Sequence, residues 1–237
     1  ACLEHRRTGG RPTLTTSCNG NVQSLYARSA NFRKLVDQFD CVEADGMPLV
    51  LASRWMTRTP IPERSAMTDL FHDVAARAAK EKLTTYFLGG TEEVNRAAVA
   101  KAQALYPQLI VAGRRNGYFS GAEEVGVVKA INDLKPDILF VGFGVPKEHE
   151  FTIRNLDRLT GVGLIKTSGG LFDFLSDKNP RAPQWMQKVS LEWLFRLLNE
   201  PRRLFWRYAT TNAHALWLMT LRTADEPSWG GPATSGR

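Results

Sequence analysis

Two groups of residues in this 237-residue chain have types and spacing suited to chemistry. The first is a series of polar, glycine-containing turns, each placed just after a short apolar run. In Glu43-Ala44-Asp45-Gly46 a carboxylate leaves such a run and a glycine frees the turn behind it, although an aspartate there is also a favoured helix N-cap. Ser17-Cys18-Asn19-Gly20 is a second polar exit. In Gly89-Gly90-Thr91, Thr91 suits an N-cap and Gly90 lets a ligand approach backbone N–H groups, while Glu92 and Glu93 favour the helix and disfavour a bare phosphate. Gly142-Phe143-Gly144-Val145-Pro146-Lys147 is the fourth. Asp173, in GGLFDFLSD, suits either a site or a structural hydrogen-bond acceptor.

The second group is a basic, aromatic stretch. Between Arg181 and Tyr208 six cations (Arg181, Lys188, Arg196, Arg202, Arg203, Arg207) stand against two glutamates, with Trp185, Trp193, Phe205, Trp206 and Tyr208 interleaved. Arginine forks match phosphate oxygens bidentately, and tryptophan and tyrosine tolerate a membrane–water boundary. The plainer reading is an amphipathic helix pair with core aromatics and solvated arginines.

Other chemistries lack their residues. A dinucleotide fingerprint needs a third glycine where Lys147 stands. Glu148, His149 and Glu150 are adjacent, so a helix points them in different directions and no metal site is expected. The chain carries no HExxH, P-loop or GxSxG pattern, and Cys2, Cys18 and Cys41 lack the spacing of a zinc site or disulfide framework, which fits a reducing cytoplasm.

The elements that must hold these turns are legible as runs with little polar alternation: TLTTS (13–17), DCVEA (40–44), TTYFLG (84–89), LIVAG (109–113), DILFVGF (137–143) and VGLIKTS (162–168). Helical stretches separate them. Strands covered on both faces read this way, so the expected fold is α/β: a Rossmann-like, mainly parallel sheet with flanking helices. Ligands then bind at the strands' carboxyl ends. The pattern breaks at DKNPRAP, which divides the chain into a catalytic α/β domain (1–180), a basic aromatic helical appendage (181–225) and a disordered tail (226–237).

The formal charge is +7, and the 181–208 stretch holds +4 of it, which favours an anionic partner. No run approaches the roughly 18 apolar residues of a spanning helix, so a membrane contact would be peripheral. The chain lacks an initiator Met and an apolar signal core, which suggests truncation at the N-terminus.

ADGMPLV (44–50), ERSAMTDLF (63–71), FLGGTEEV (87–94), NGYF (116–119), GFGVPKEHEF (142–151) and the long GGLFDFLSDKNPRAPQWMQKVSLEWLFRLLNEPRRLFWRY (169–208) occur in one order. Together they resemble the WecG/TagA/CpsF glycosyltransferases, bacterial enzymes that move a sugar from a UDP-sugar to a polyprenyl-diphosphate-linked sugar in teichoic acid, common antigen or exopolysaccharide synthesis. The resemblance spans about Ser17 to Tyr208. It implies an inverting transfer that needs no metal or cofactor, with Asp45 as general base and Asn19 beside it. It places Ser17, Arg64, Thr68, Asp69, Gly89, Gly90, Tyr118, Gly144, Pro146, Lys147, Glu148 and Asp173 around the substrate. Arg181, Arg196, Arg202, Arg203 and Arg207 would meet diphosphate or membrane. Ser17 replaces the usual threonine of a TxN turn, Met67 stands where glycine is common, and Glu148-His149 replace the usual Gln-Glu, so donor recognition is open. The partners implied are a UDP-sugar, a lipid-linked acceptor and the inner face of the cytoplasmic membrane, with no nucleic acid and a possible homo-oligomer. The competing readings are a nucleotide-binding oxidoreductase and a non-catalytic membrane- or anion-binding module.

Overall fold

The computed structural model describes residues 2–183, 185–186 and 192–223, without the side chains of Arg203 and Arg207. Six strands form one parallel sheet: β1 (Thr13–Cys18), β2 (Cys41–Ala44), β3 (Thr84–Gly89), β4 (Ile110–Arg115), β5 (Ile138–Gly142) and β6 (Leu164–Thr167), in the spatial order β2-β1-β6-β5-β3-β4. Each predicted run forms a strand, with ends within two residues of the expectation.

The helices are α1 (Cys2–Thr8), α2 (Gly20–Arg28), α3 (Ala30–Val36), α4 (Met47–Met56), α5 (Met67–Glu81), α6 (Glu92–Leu105), α7 (Gly121–Leu134), α8 (Lys147–Arg154), α9 (Leu171–Leu175), α10 (Glu192–Asn199) and α11 (Pro201–Leu221). Their starts follow local chemistry. Thr91 caps α6 by accepting from the Val94 N–H, and Ser120 with Glu123 forms a reciprocal capping box on α7.

The sheet is apolar on both faces, which explains the missing alternation. Phe87 and Phe140 point to one side and pack with Phe71 of α5, Ala98 of α6 and Phe172 of α9. Leu88, Leu139, Val141 and Ile165 point to the other, against Val128 and Ile131 of α7 and Phe151 of α8. On the first face, register places Lys166 beside both Phe140 and Thr15, and Ser17 beside Glu43. A charged group therefore lies within the sheet's covered surface. At the β3 exit Gly89 has φ 144° and an added Cβ would lie 2.2 Å from the Gly142 carbonyl oxygen, so only glycine allows β3 and β5 to end side by side.

Among the described residues no helix is long and apolar enough to cross a membrane. The C-terminal helix α11 packs along α2, with Ser24 Oγ 2.9 Å from His214 Nδ1.

Candidate active site

The carboxyl ends of β1, β2, β3, β5 and β6 open on one cleft of about 1700 Å³, with α10 and α11 across it. Of the residues singled out from sequence, Ser17, Asn19, Asp45, Arg64, Thr68, Gly90, Tyr118, Gly144, Lys147, Glu148, Asp173 and Arg196 line it. Asp69, Gly89, Pro146, Arg181 and Arg202 do not. Gly89 lies just beneath it, and Pro146 precedes α8, whose first turn faces it. The side chains of Arg203 and Arg207, Lys188 and the 226–237 tail lie outside the described residues.

Asp45 follows β2, and its N–H donates to the Cys18 carbonyl (2.8 Å), which ties the exits of β1 and β2 together. It is not a cap. The N-cap of α4 is Gly46, and no side chain bonds there, so the Asp45 carboxylate stays available to the cleft. It is reached from the cleft but enclosed by protein. That enclosure raises its pKa above the usual carboxylate range, opposed by Arg196, Arg64 and Lys166, while Glu192 adds to the rise. A carboxylate so placed has a raised affinity for a proton, which suits a general base.

Asn19 is an N-cap. Its Oδ1 accepts from the N–H groups of Asn21 (3.1 Å) and Val22 (3.2 Å), which starts α2 at the cleft wall. Arg64 lies between two carboxylates, 3.4 Å from Asp69 and 3.4 Å from Glu192. Glu192 also stands 3.5 Å from Arg196, whose guanidinium lies 4.5 Å over the Phe174 ring. Nε of Arg196 is buried and finds no hydrogen-bond partner among the described residues, an unsatisfied donor in the lining of the cleft. Arg181 is drawn away to Asp69 (2.5 Å).

Glu148 closes the floor. Its Oε2 accepts from the N–H groups of Gly144 (3.1 Å) and Gly169 (2.9 Å) and so joins the β5 and β6 exits. Burial pushes its carboxyl up to about 7 in spite of those donors. The cation acting on it is Lys166, while Lys147 is exposed at the cleft edge. His149 turns away from the cleft: Nε2 is 2.9 Å from Thr16 Oγ1, its ring meets Phe32 and Phe39, and burial drives its pKa down to about 4. Asp173 pairs with Lys178 (3.2 Å), and Tyr118 is exposed at the rim.

Sequence reasoning missed the partners beneath these residues. Lys166 donates to Ser17 Oγ (3.0 Å) and pairs with Glu43. Its one signal was a lysine inside VGLIKTS, a charge in a run that otherwise reads as covered on both faces. The aromatics of the basic stretch are not core: Trp185, Trp193, Phe205 and Trp206 are all exposed, Trp206 by 72%. Among the described residues no group of three or more His, Cys, Asp or Glu could hold a metal ion.

A parallel α/β sheet with a cleft at its carboxyl edge places the chain in the architectural class whose ligands bind at that edge. A sequence profile of the glycosyl transferase WecG/TagA/CpsF family matches residues 2–227. The chain belongs to that family, and it is a glycosyltransferase. It is 32% identical over 190 residues to the N-acetylglucosaminyldiphosphoundecaprenol N-acetyl-beta-D-mannosaminyltransferase of Bacillus subtilis (strain 168), covering 80% of this chain and 73% of that one. The protein of the same description from Staphylococcus aureus (strain MRSA252) is 31% identical over 188 residues, 79% of this chain and 72% of its own. That from Bacillus spizizenii is 29% identical over 191 residues, 81% and 72% of the two chains.

Proposed function

We propose that the protein transfers a hexose-type sugar from a UDP-sugar to a polyprenyl-diphosphate-linked sugar, with inversion at the anomeric carbon. Asp45 accepts the proton of the acceptor hydroxyl as its oxygen attacks that carbon. The bond to UDP breaks on the opposite face and UDP leaves with the electron pair. Its growing negative charge meets Arg64, Arg196 and backbone N–H groups at the glycine-rich exits, which are fixed before the reaction begins. The relatives' names describe an acceptor headed by N-acetylglucosamine diphosphate and a mannosamine-type product, which supports this substrate class.

The observation that carries the reading is Asp45, free of any capping bond, with Arg64 and Arg196 acting on it from across the cleft. Among the described residues, α10 and α11 form the membrane-facing appendage. Its exposed Trp193, Trp206 and Trp217, with Arg202 in the first turn of α11, suit an anionic lipid surface at the inner face of the bacterial membrane.

The test is UDP release from a panel of UDP-sugars, with and without a short-chain polyprenyl-diphosphate-sugar acceptor, on the intact chain and on Asp45→Ala. Acceptor-dependent release that vanishes in the variant supports the reaction and the base. Release that persists undiminished in Asp45→Ala removes Asp45 from the chemistry, and UDP binding without release from any donor removes the transferase reaction proposed here.

A further inference from the structure

The cleft has two unlike flanks. Over the exits of β3 and β5 its lining is mostly polar, with Lys147 and Arg154 among Glu123, Glu124 and Glu150, and with Phe119 and Phe143 beside them. Over the β2–β1 side, which the strand order sets apart from β3 and β5, the lining comes from α2, with Asn21 and Gln23, and from α4 and α11, whose lining residues are largely apolar. On α11 the residues facing the cleft recur every three or four positions, at Leu204, Tyr208, Asn212, Ala215 and Met219 with Phe205 and Leu216 beside them, so one helix face, apolar except for Asn212 and the Tyr208 hydroxyl, lines this side for about 22 Å. Met47 and Leu49 of α4 lie on the same side, directly after Asp45.

The side of this track is fixed by close packing. An added Cβ at Gly20 would come 3.0 Å from Asn212 Oδ1 and 3.4 Å from Ala215 Cβ, so the backbone of α2 at Gly20 rests directly on the Asn212 and Ala215 side chains of α11. Yet Phe205 and Leu216, on the cleft-facing stripe, are 54% and 58% exposed. Apolar surface is thus left open to water inside the cleft, which marks a site for an apolar ligand. The track also continues. A second hollow of about 260 Å³ shares Gln23, Leu49 and Met219 with the cleft and adds Ala52 and Ile61 together with the hydroxyl residues Ser53, Thr57, Thr59 and Thr223, reaching the end of α11.

A UDP-sugar has no long apolar part to fill such a surface. The acceptor does. We infer that the isoprenoid tail of the acceptor lies along the face of α11 from Leu204 to Met219, against Met47 and Leu49, and leaves through the hollow between α4 and the end of α11. The inference rests on the glycosyl-transfer reading above. The acceptor's diphosphate and sugar then fall beside Arg64, Arg196 and Asp45, with the donor on the polar flank. Held this way, the tail supplies binding energy that orients the hydroxyl rather than serving only as a membrane anchor.

The test uses two acceptors with the same sugar-diphosphate head, one with a single isoprene unit and one with several, in buffer without vesicles and below micelle-forming concentrations. The intact chain should show kcat/KM at least tenfold higher for the longer tail. In the Phe205→Ser/Leu216→Asn double variant that preference should collapse toward one, while UDP affinity stays as in the intact chain. Leu105→Ser, an exposed apolar residue at the end of α6 and outside the cleft lining, should keep the preference. Calorimetry with sugar-free isoprenyl diphosphates of the two lengths gives a readout independent of turnover, with tighter binding of the longer one lost in the double variant. Equal kcat/KM and equal affinity for both lengths in the intact chain, or a preference that survives the double variant or disappears in Leu105→Ser, overturns the track. Length-dependent binding with no transfer from any donor would sink the transferase reaction and leave the track standing, so the two failures are told apart.

Discussion

Beneath the cleft, Lys166 is 3% exposed and gives its ammonium to Glu43 and Ser17, while Glu148 is 2% exposed and takes two backbone N–H groups. Above it, Arg64, Glu192 and Arg196 stand 3.4 and 3.5 Å apart, and Arg196 retains a buried Nε donor without a partner among the described residues. The floor spends most of its polar groups on one another, His149 Nδ1 being buried without a partner among the described residues. The roof holds its charges at distances where an incoming anion can replace the carboxylate. A buried group left unpaired is costly, whereas a loosely paired group facing water is inexpensive to rearrange. Floor residues are therefore read as positioning Asp45, and roof residues as meeting substrate.

The largest effect falls where floor and roof meet. Asp45→Asn keeps the shape and removes the proton acceptor, so kcat should drop by about 10² to 10⁴. UDP affinity, measured by calorimetry, should hold or rise, because a negative charge near Arg64 and Arg196 is removed. A fall in UDP affinity with kcat preserved would make Asp45 a binding group and break the division.

In the floor, Glu43→Ala leaves the Lys166 ammonium buried and unpaired, at a cost of about 3–5 kcal/mol. Denaturant unfolding should show it, and the double variant Glu43→Leu/Lys166→Met should recover most of the loss. If Glu43→Ala unfolds at the same denaturant concentration as the intact chain, the pair is not a structural fixture.

Glu148 and His149 are adjacent floor residues with opposite linkage. The Glu148 carboxyl is raised from 4.5 to about 7, so the folded state holds its proton more tightly and the group favours folding at low pH, losing that contribution as pH rises from 4.5 to 7. His149 is lowered from 6.5 to about 4, so its contribution is present above 6.5 and is lost as pH falls toward 4. Each shift is worth about 3 kcal/mol, and between pH 4.5 and 6.5 the two slopes oppose one another. Glu148→Gln should therefore lose stability on acidification through that window more steeply than the intact chain, and His149→Gln should gain it. Parallel pH curves for all three would mean that neither group is buried in its folded state as described.

How much of this was legible follows from distance along the chain. The six strands were readable because burial on both faces writes itself as unbroken apolar runs, and Thr91 was readable as a cap because capping involves neighbours three residues apart. Asp45 was legible as a turn carboxylate, but not its freedom from capping, which depends on Gly46 taking the N-cap position. The partners that decide the site's electrostatics were illegible. Lys166 meets Glu43 across 123 residues, and Arg64 meets Glu192 across 128, through strand order and helix docking that no local pattern encodes. The family resemblance supplied Arg64 as a site residue without Glu192, its counter-charge.

Glu192 gives the smallest expected effect and the finest test of the contrast. Its carboxylate touches Arg64 and Arg196 only at 3.4 and 3.5 Å and its side chain is 14% exposed, so Glu192→Gln, which keeps a hydrogen-bond acceptor in place, should change stability by about 1 kcal/mol. An amide can still accept a hydrogen bond from either arginine but no longer competes as an anion. If the roof exchanges its carboxylate for the diphosphate of UDP, removing the competing charge should tighten UDP binding a few-fold, and the gain should shrink as salt screens the pair. Weaker UDP binding in Glu192→Gln would mean instead that the carboxylate contacts the ligand or fixes α10 in place, and the roof would then be built on the same terms as the floor.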